Sequence, residues 1–235
     1  MTEQKIEQKT EQKNEKTYYV SKYLRNPDNK IVITEERFCF TEPITLKLKE
    51  KIFSLSGDSF SIKDLNGVEY FKCSGRAFSI KEKKVLLDLY DQPILNIKEK
   101  VISLRGKMKI YEGNSSQDVL MTIKPKSPIF NEKFTVNFHN KFTGKDEVFE
   151  MRCDFTGFNC EIYYGKKKEG APMIARVIKK VDAKLILTSQ ENYYVEVAAG
   201  VDAAAIIALA ICFDEGKNDS SSGIGIGLDI LDIFT

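Results

Sequence analysis

The chain has 235 residues, of which 42 % are hydrophobic, so it is long enough for one large folded domain or two small ones and is not disordered throughout. Its 36 Lys and Arg nearly cancel 34 Asp and Glu, and a net charge of +2 gives no global field to draw in nucleic acid; no nucleic-acid partner is expected. Five cysteines, Cys39, Cys73, Cys153, Cys160 and Cys212, form no CxxC pair and are not accompanied by a series of histidines. That pattern predicts free thiols in a reducing compartment, not a disulfide framework or a zinc site.

Residues 1–17 repeat Glu-Gln-Lys at 3–5, 7–9 and 11–13 and close with Asn14-Glu15-Lys16. A segment with Met1 and Ile6 as its only strongly apolar side chains has no face to bury and no secretory core. It is predicted to be a disordered charged tail on a protein that stays in the cytoplasm.

From Tyr18 the texture changes to short alternating runs. Ile44, Leu46 and Leu48 alternate with Thr45, Lys47 and Lys49, and Phe134, Val136 and Phe138 alternate with Thr135, Asn137 and His139. Successive strand side chains point to opposite faces, so these runs predict strands with one apolar and one wet face. Between Phe60–Lys63 and Glu69–Cys73 sits Asp64-Leu65-Asn66-Gly67, whose Asn and Gly tolerate positive φ and predict a hairpin. Further breaks at Asp91-Gln92-Pro93, Gly113-Asn114, Thr143-Gly144 and Gly165 divide residues 30–197 into about a dozen strands, the spacing of an all-β sandwich or barrel.

Val197–Phe213 breaks this pattern. It carries one charge, Asp202, and its alanines fall on every side, which no amphipathic surface helix allows. Asp202 is predicted near the N-cap of a helix of about 202–213, with Gly216 as its stop and 216–235 as a flexible tail. An eleven-residue body rises only about 16 Å, short of the ~20 apolar residues that a bilayer span needs. The alternative is a helix enclosed by the preceding strands. A sheet about 10 Å from the helix axis has a circumference of about 60 Å, which at a spacing near 4.8 Å and a tilt of about 40° takes roughly ten strands. The predicted fold is therefore mainly β, a closed antiparallel barrel of about twelve strands over 18–215 around a buried hydrophobic C-terminal helix.

The blocks Phe60–Val68, Val85–Leu95, Ala171–Lys180 and Val201–Ala210, in this order and spacing, resemble the LURP-one-related family. That family belongs to the tubby C-terminal-like group together with the phospholipid scramblases. The resemblance covers about residues 30–215 and implies a barrel of about twelve strands around a hydrophobic C-terminal helix. For function it implies no catalytic set, only that relatives bind phosphoinositides or act on phospholipids. Met108 occupies the segment where the family usually has Trp, and the carboxylate-rich calcium loop of the scramblases is missing before the helix.

No catalytic constellation emerges. His139, the single histidine, falls on the wet face with no ligand partner at metal spacing, and no serine sits in a nucleophile elbow. Cys153 and Cys160, seven apart across a turn at Gly157, are read as free structural thiols. Gly223–Gly227 imitates a phosphate loop but lacks the helix that must follow it. Most lysine clusters have Glu interleaved and read as solvated strand surface. The densest run, Lys166-Lys167-Lys168, falls in a predicted loop and is the candidate contact for anionic lipid headgroups, at about 1 kcal/mol per lysine on a charged membrane. The expectation is a non-enzymatic, cofactor-free, cytoplasmic binding module, peripheral to a membrane or docked on a protein partner. The alternative is a scramblase-like lipid-moving protein.

Overall fold

The structure is a computed structural model and describes residues 23–49, 60–75, 83–98, 107–126, 132–154, 159–180 and 192–222. The charged repeat at 1–17, the Gly223–Gly227 segment and the residues after it lie outside the described residues. Twelve strands are present: β1 (Ile44–Lys49), β2 (Phe60–Asp64), β3 (Glu69–Gly75), β4 (Lys83–Leu87), β5 (Pro93–Lys98), β6 (Met108–Glu112), β7 (Val119–Pro125), β8 (Lys133–Asn140), β9 (Lys145–Asp154), β10 (Asn159–Tyr164), β11 (Met173–Lys180) and β12 (Asn192–Val197). One helix follows, α1 (Ala203–Ser222).

Each strand pairs antiparallel with its sequence neighbour, and β1 pairs with β12 from Ile44↔Val197 to Lys49↔Asn192, closing the sheet into a barrel. The period of two decides which side chains face the lumen. On β8, Phe134, Val136 and Phe138 are buried while Thr135 and Asn137 are half-buried and His139 is exposed, as the alternation predicts. The Asp64–Gly67 turn forms the predicted hairpin between β2 and β3. Asp64 Oδ1 accepts the amides of Asn66 and Val68, and Gly67 takes φ +84°, which a Cβ would strain.

The lumen is filled by α1. From Ala203 to Phe213 no residue is more than 3 % exposed, so the helix is wrapped on every side. Alanine keeps it slim enough for inward Phe, Met, Ile and Leu side chains of the wall to close on it at interior packing density. Met108, in the segment where Trp was expected, is buried beside Phe213 and Cys212 at the far end.

Two expectations are corrected. The helix does not stop at Gly216 but runs on to Ser222, because one glycine inside a helix costs only about 1 kcal/mol and does not by itself end it. Cys153 and Cys160 are not free thiols: they are bonded to each other. The register pairs them directly across β9 and β10, both turned inward, so the short connection that separates them by seven residues also sets them face to face.

The antiparallel order places the connections 65–68, 88–92, 113–118, 141–144 and 165–172 at one end of the barrel, where the chain also enters α1. This end is stoppered by a strap, Ile31–Thr34. Ile31 bridges Val201 in parallel, its amide donating to Gly200 O while Asp202 N donates back to Ile31 O. The Asp202 carboxylate then joins strap and helix. Oδ1 accepts the Ala205 amide at 3.1 Å as an N-cap, and Oδ2 accepts from Ile33 N, Thr34 N and Thr34 Oγ1 at 3.0, 2.6 and 2.8 Å.

Candidate functional site

With the lumen occupied by α1, the ligand-sized hollows found among the described residues are on the outside. The small hollow lined by Met108, Phe134, Cys212 and Phe213 measures about 10 Å³, about one water at most. A half-open groove of about 430 Å³ runs beside the β2–β3 turn over Phe40 and Tyr70, whose rings meet edge to face at 5.3 Å. A second hollow, of about 460 Å³, lies between the Tyr23–Arg25 segment and the β10–β11 connection, and it is here that cationic side chains converge.

The β10–β11 connection makes a short 3-10 turn, Lys167–Glu169, ended by Gly170 in the left-handed region at φ +83°. The turn separates the three candidate lysines. Lys166 Nζ lies 2.9 Å from Glu169 Oε1. Lys167 Nζ lies 2.8 Å from Glu161 Oε2 and 4.9 Å from the centre of the Tyr163 ring. Lys168 is exposed and stands apart from both pairs. Two of the three charges are therefore already matched by carboxylates, and only Lys167 lines the hollow.

The other cations of the hollow come from elsewhere in the chain. Arg25 is brought in by its own backbone, whose amide donates to Met173 O at 2.9 Å. Arg176 sits on β11 opposite Glu161 in register, with Nε donating to Asn159 Oδ1 at 2.8 Å. Glu161 Oε2 accepts from Lys167 and, at 2.6 Å, from the Tyr163 hydroxyl. Burial pushes its carboxyl up, but hydrogen bonds from Lys167 and Tyr163 outweigh that and hold it below the usual carboxylate range. Glu161 in turn raises Lys167, keeping the ammonium charged. Three cations and one carboxylate thus line the same hollow, with Tyr23 and Tyr163 as its aromatic walls.

Sequence reasoning located the loop but missed Arg25 and Arg176. Arg25 lies in a segment without strand alternation, and Arg176 is a single cation between apolar Ala175 and Val177; the register of β10 against β11 brings Arg176 to Lys167, and the backbone bond to Met173 brings Arg25. His139, predicted wet, is exposed and lies 2.9 Å from Asp146 Oδ1 across β8 and β9. Among the described residues no group of three or more His, Cys, Asp or Glu is placed to hold a metal ion.

Comparison with known proteins accounts for the architecture. The sequence profile described as LURP-one-related matches residues 44–214. The chain belongs to the LURP-one-related family. Protein LURP-one-related 10 of Arabidopsis thaliana is 33 % identical over 196 residues, covering 81 % of this chain and 99 % of the relative. Protein LURP-one-related 15 of the same plant is 29 % identical, covering 78 % and 85 %. The crystal structure of an Arabidopsis thaliana protein superposes with a TM-score of 0.57 at 24 % identity, over 79 % of this chain and 98 % of that one, a likeness of fold. The LURP-one-related match spans β1 to the lumenal part of α1, so barrel and plug form one family unit, and Arg25 lies ahead of it.

Proposed function

We propose that this LURP-one-related chain is a non-enzymatic binding module of the cytoplasm that associates with anionic phospholipid headgroups through the outer face at the β10–β11 connection. The observation that carries the reading is the filled lumen: a barrel whose interior is its own helix has to recognise partners with its outside. On that outside, Arg25, Lys167 and Arg176 gather around one hollow, with Lys166 and Lys168 next to it in the same connection. Each lysine near a charged bilayer adds about 1 kcal/mol, so the association is weak, reversible and sensitive to salt. A bond whose two sulfurs belong to residues 3 % and 0 % exposed is slow to meet soluble reductants, which reconciles the Cys153–Cys160 pair with a reducing compartment.

A scramblase-like role requires apolar chain inside the bilayer. No helix among the described residues is long and apolar enough to cross a membrane, and the most apolar stretch of α1 is enclosed by the wall. Inserting it would empty the barrel, so surface association is the reading the geometry favours. Sedimentation of the full chain with phosphatidylcholine vesicles containing a fifth phosphatidylserine tests it. Pelleting at low salt that is lost at high salt is expected; a chain that stays in the supernatant at low salt would remove the lipid reading.

A further inference from the structure

We infer that the hollow bounded by Tyr23, Arg25, Lys167 and Arg176 is a binding site selective for a phosphomonoester dianion, a proposal that rests on the membrane reading above only for the lipid source of that group. The argument begins with donors left over. The Arg25 guanidinium forms no ion pair with a carboxylate among the described residues, its backbone amide being the part that is bonded. Arg176 commits Nε to Asn159, and among the described residues its two terminal nitrogens make no further hydrogen bond. Of the two carboxylates opposite Arg176 in register, Glu161 accepts from Lys167 and Tyr163 through Oε2 and feels Arg176 only through its charge, and Glu196 is 3 % exposed and does not line the hollow.

The charges select the ligand. Arg25, Lys167 and Arg176 against Glu161 leave an excess of two positive charges around one concavity. A phosphomonoester carries about −1.5 to −2 at neutral pH and offers three terminal oxygens, whereas a phosphodiester or a carboxylate carries one charge and two such oxygens. Guanidinium forks fit tetrahedral phosphate in a bidentate manner, and a lysine pinned between a carboxylate and an aromatic ring supplies a fixed point charge. A volume of about 460 Å³ exceeds what phosphate alone needs and leaves room for a small polar group, such as glycerol, against Tyr23 and Tyr163.

The test uses the full chain with glycerol 3-phosphate as the soluble monoester, and phosphatidylcholine vesicles carrying either phosphatidic acid or phosphatidylserine. Calorimetric titration is expected to show saturable binding of glycerol 3-phosphate. Arg25→Gln, which breaks no hydrogen bond among the described residues, is expected to weaken it about tenfold, and Arg25→Gln with Arg176→Gln about a hundredfold. Lys124→Gln, on the exposed face of β7, is expected to leave it unchanged. Phosphatidic acid vesicles pelleting the chain at a lower lipid concentration than phosphatidylserine vesicles, with glycerol 3-phosphate competing, assigns the site to a lipid headgroup. Saturable binding of glycerol 3-phosphate without pelleting of either vesicle supports the site with a soluble ligand and removes the membrane reading. Pelleting that does not distinguish the two lipids, together with no heat from glycerol 3-phosphate or with binding indifferent to Arg25→Gln, overturns the inference while leaving surface association standing.

Discussion

Asp202 uses its two carboxylate oxygens on different parts of the chain: one caps α1, the other takes three donors from the strap. Asp202→Ala leaves those donors buried without an acceptor and is expected to lower stability by about 2–4 kcal/mol, read as a fall in the urea midpoint, with Asp202→Asn costing less. Burial raises the Asp202 carboxyl in spite of the donors from Thr34, Ala205 and Ile33. A carboxyl raised in the folded state favours the fold while protonated, and that contribution is lost as pH rises from the ordinary carboxylate range through the folded pKa. Glu150 has the opposite sign. Burial pushes it up, but hydrogen bonds from Lys126 and from Arg152 Nε outweigh this and hold it below the usual range. Its stabilisation is present above the unfolded pKa and is lost as pH falls through the folded one. Urea midpoints between about pH 5 and pH 3 should therefore fall less steeply in Glu150→Gln than in the parent, from a lower neutral value. Of these residues, Asp202 was legible as a cap because Asp precedes an apolar helix. Its bond to the strap, 168 residues away in sequence, leaves no local pattern. Asn140 is likewise illegible: fully buried, it accepts from Val32 N and donates to Lys30 O, a role that only the closed barrel creates.

At the scale of elements, α1 follows from volume. Ala204, Ala205 and Ala208 are fully buried, as are Ile206, Ile207 and Leu209 on other sides of the helix. Leu209→Ala is expected to cost about 2–5 kcal/mol through lost burial and a cavity, and Ala208→Leu about 1–3 kcal/mol through overpacking. A helix lying on an outer surface would tolerate the second change, so thermal melts of the pair separate plug from surface helix. The strands were legible from the period of two and the hairpin from Asp-Leu-Asn-Gly, because both are local rules. The helix end was misplaced because a glycine stop is a weak preference, and the Cys153–Cys160 bond was missed because spacing alone does not state register. The candidate site was half legible: charge density marked Lys166–Lys168, whereas Arg25 and Arg176 join it by pairing of β10 with β11 and by the path of the Tyr23–Arg25 segment.

The described residues form a closed wall with the C-terminal helix as filler, which leaves the outside of the barrel as the surface open to a partner. Without the plug the wall has no common partner and a large apolar hole, so wall and helix are expected to unfold in a single cooperative transition. Attachment to a charged surface leaves that packing intact, whereas any mechanism that moves lipid with α1 has to open it. Hydrogen exchange of the full chain, alone and on phosphatidylserine-containing vesicles, separates these directly. The account predicts that the amides of Ala205–Phe213 are among the slowest in the molecule and stay slow on vesicles, with any added protection confined to the Tyr23–Arg25 segment and the β10–β11 connection. Fast exchange across Ala205–Phe213 in either state, or a gain in exchange there on vesicles, would contradict it.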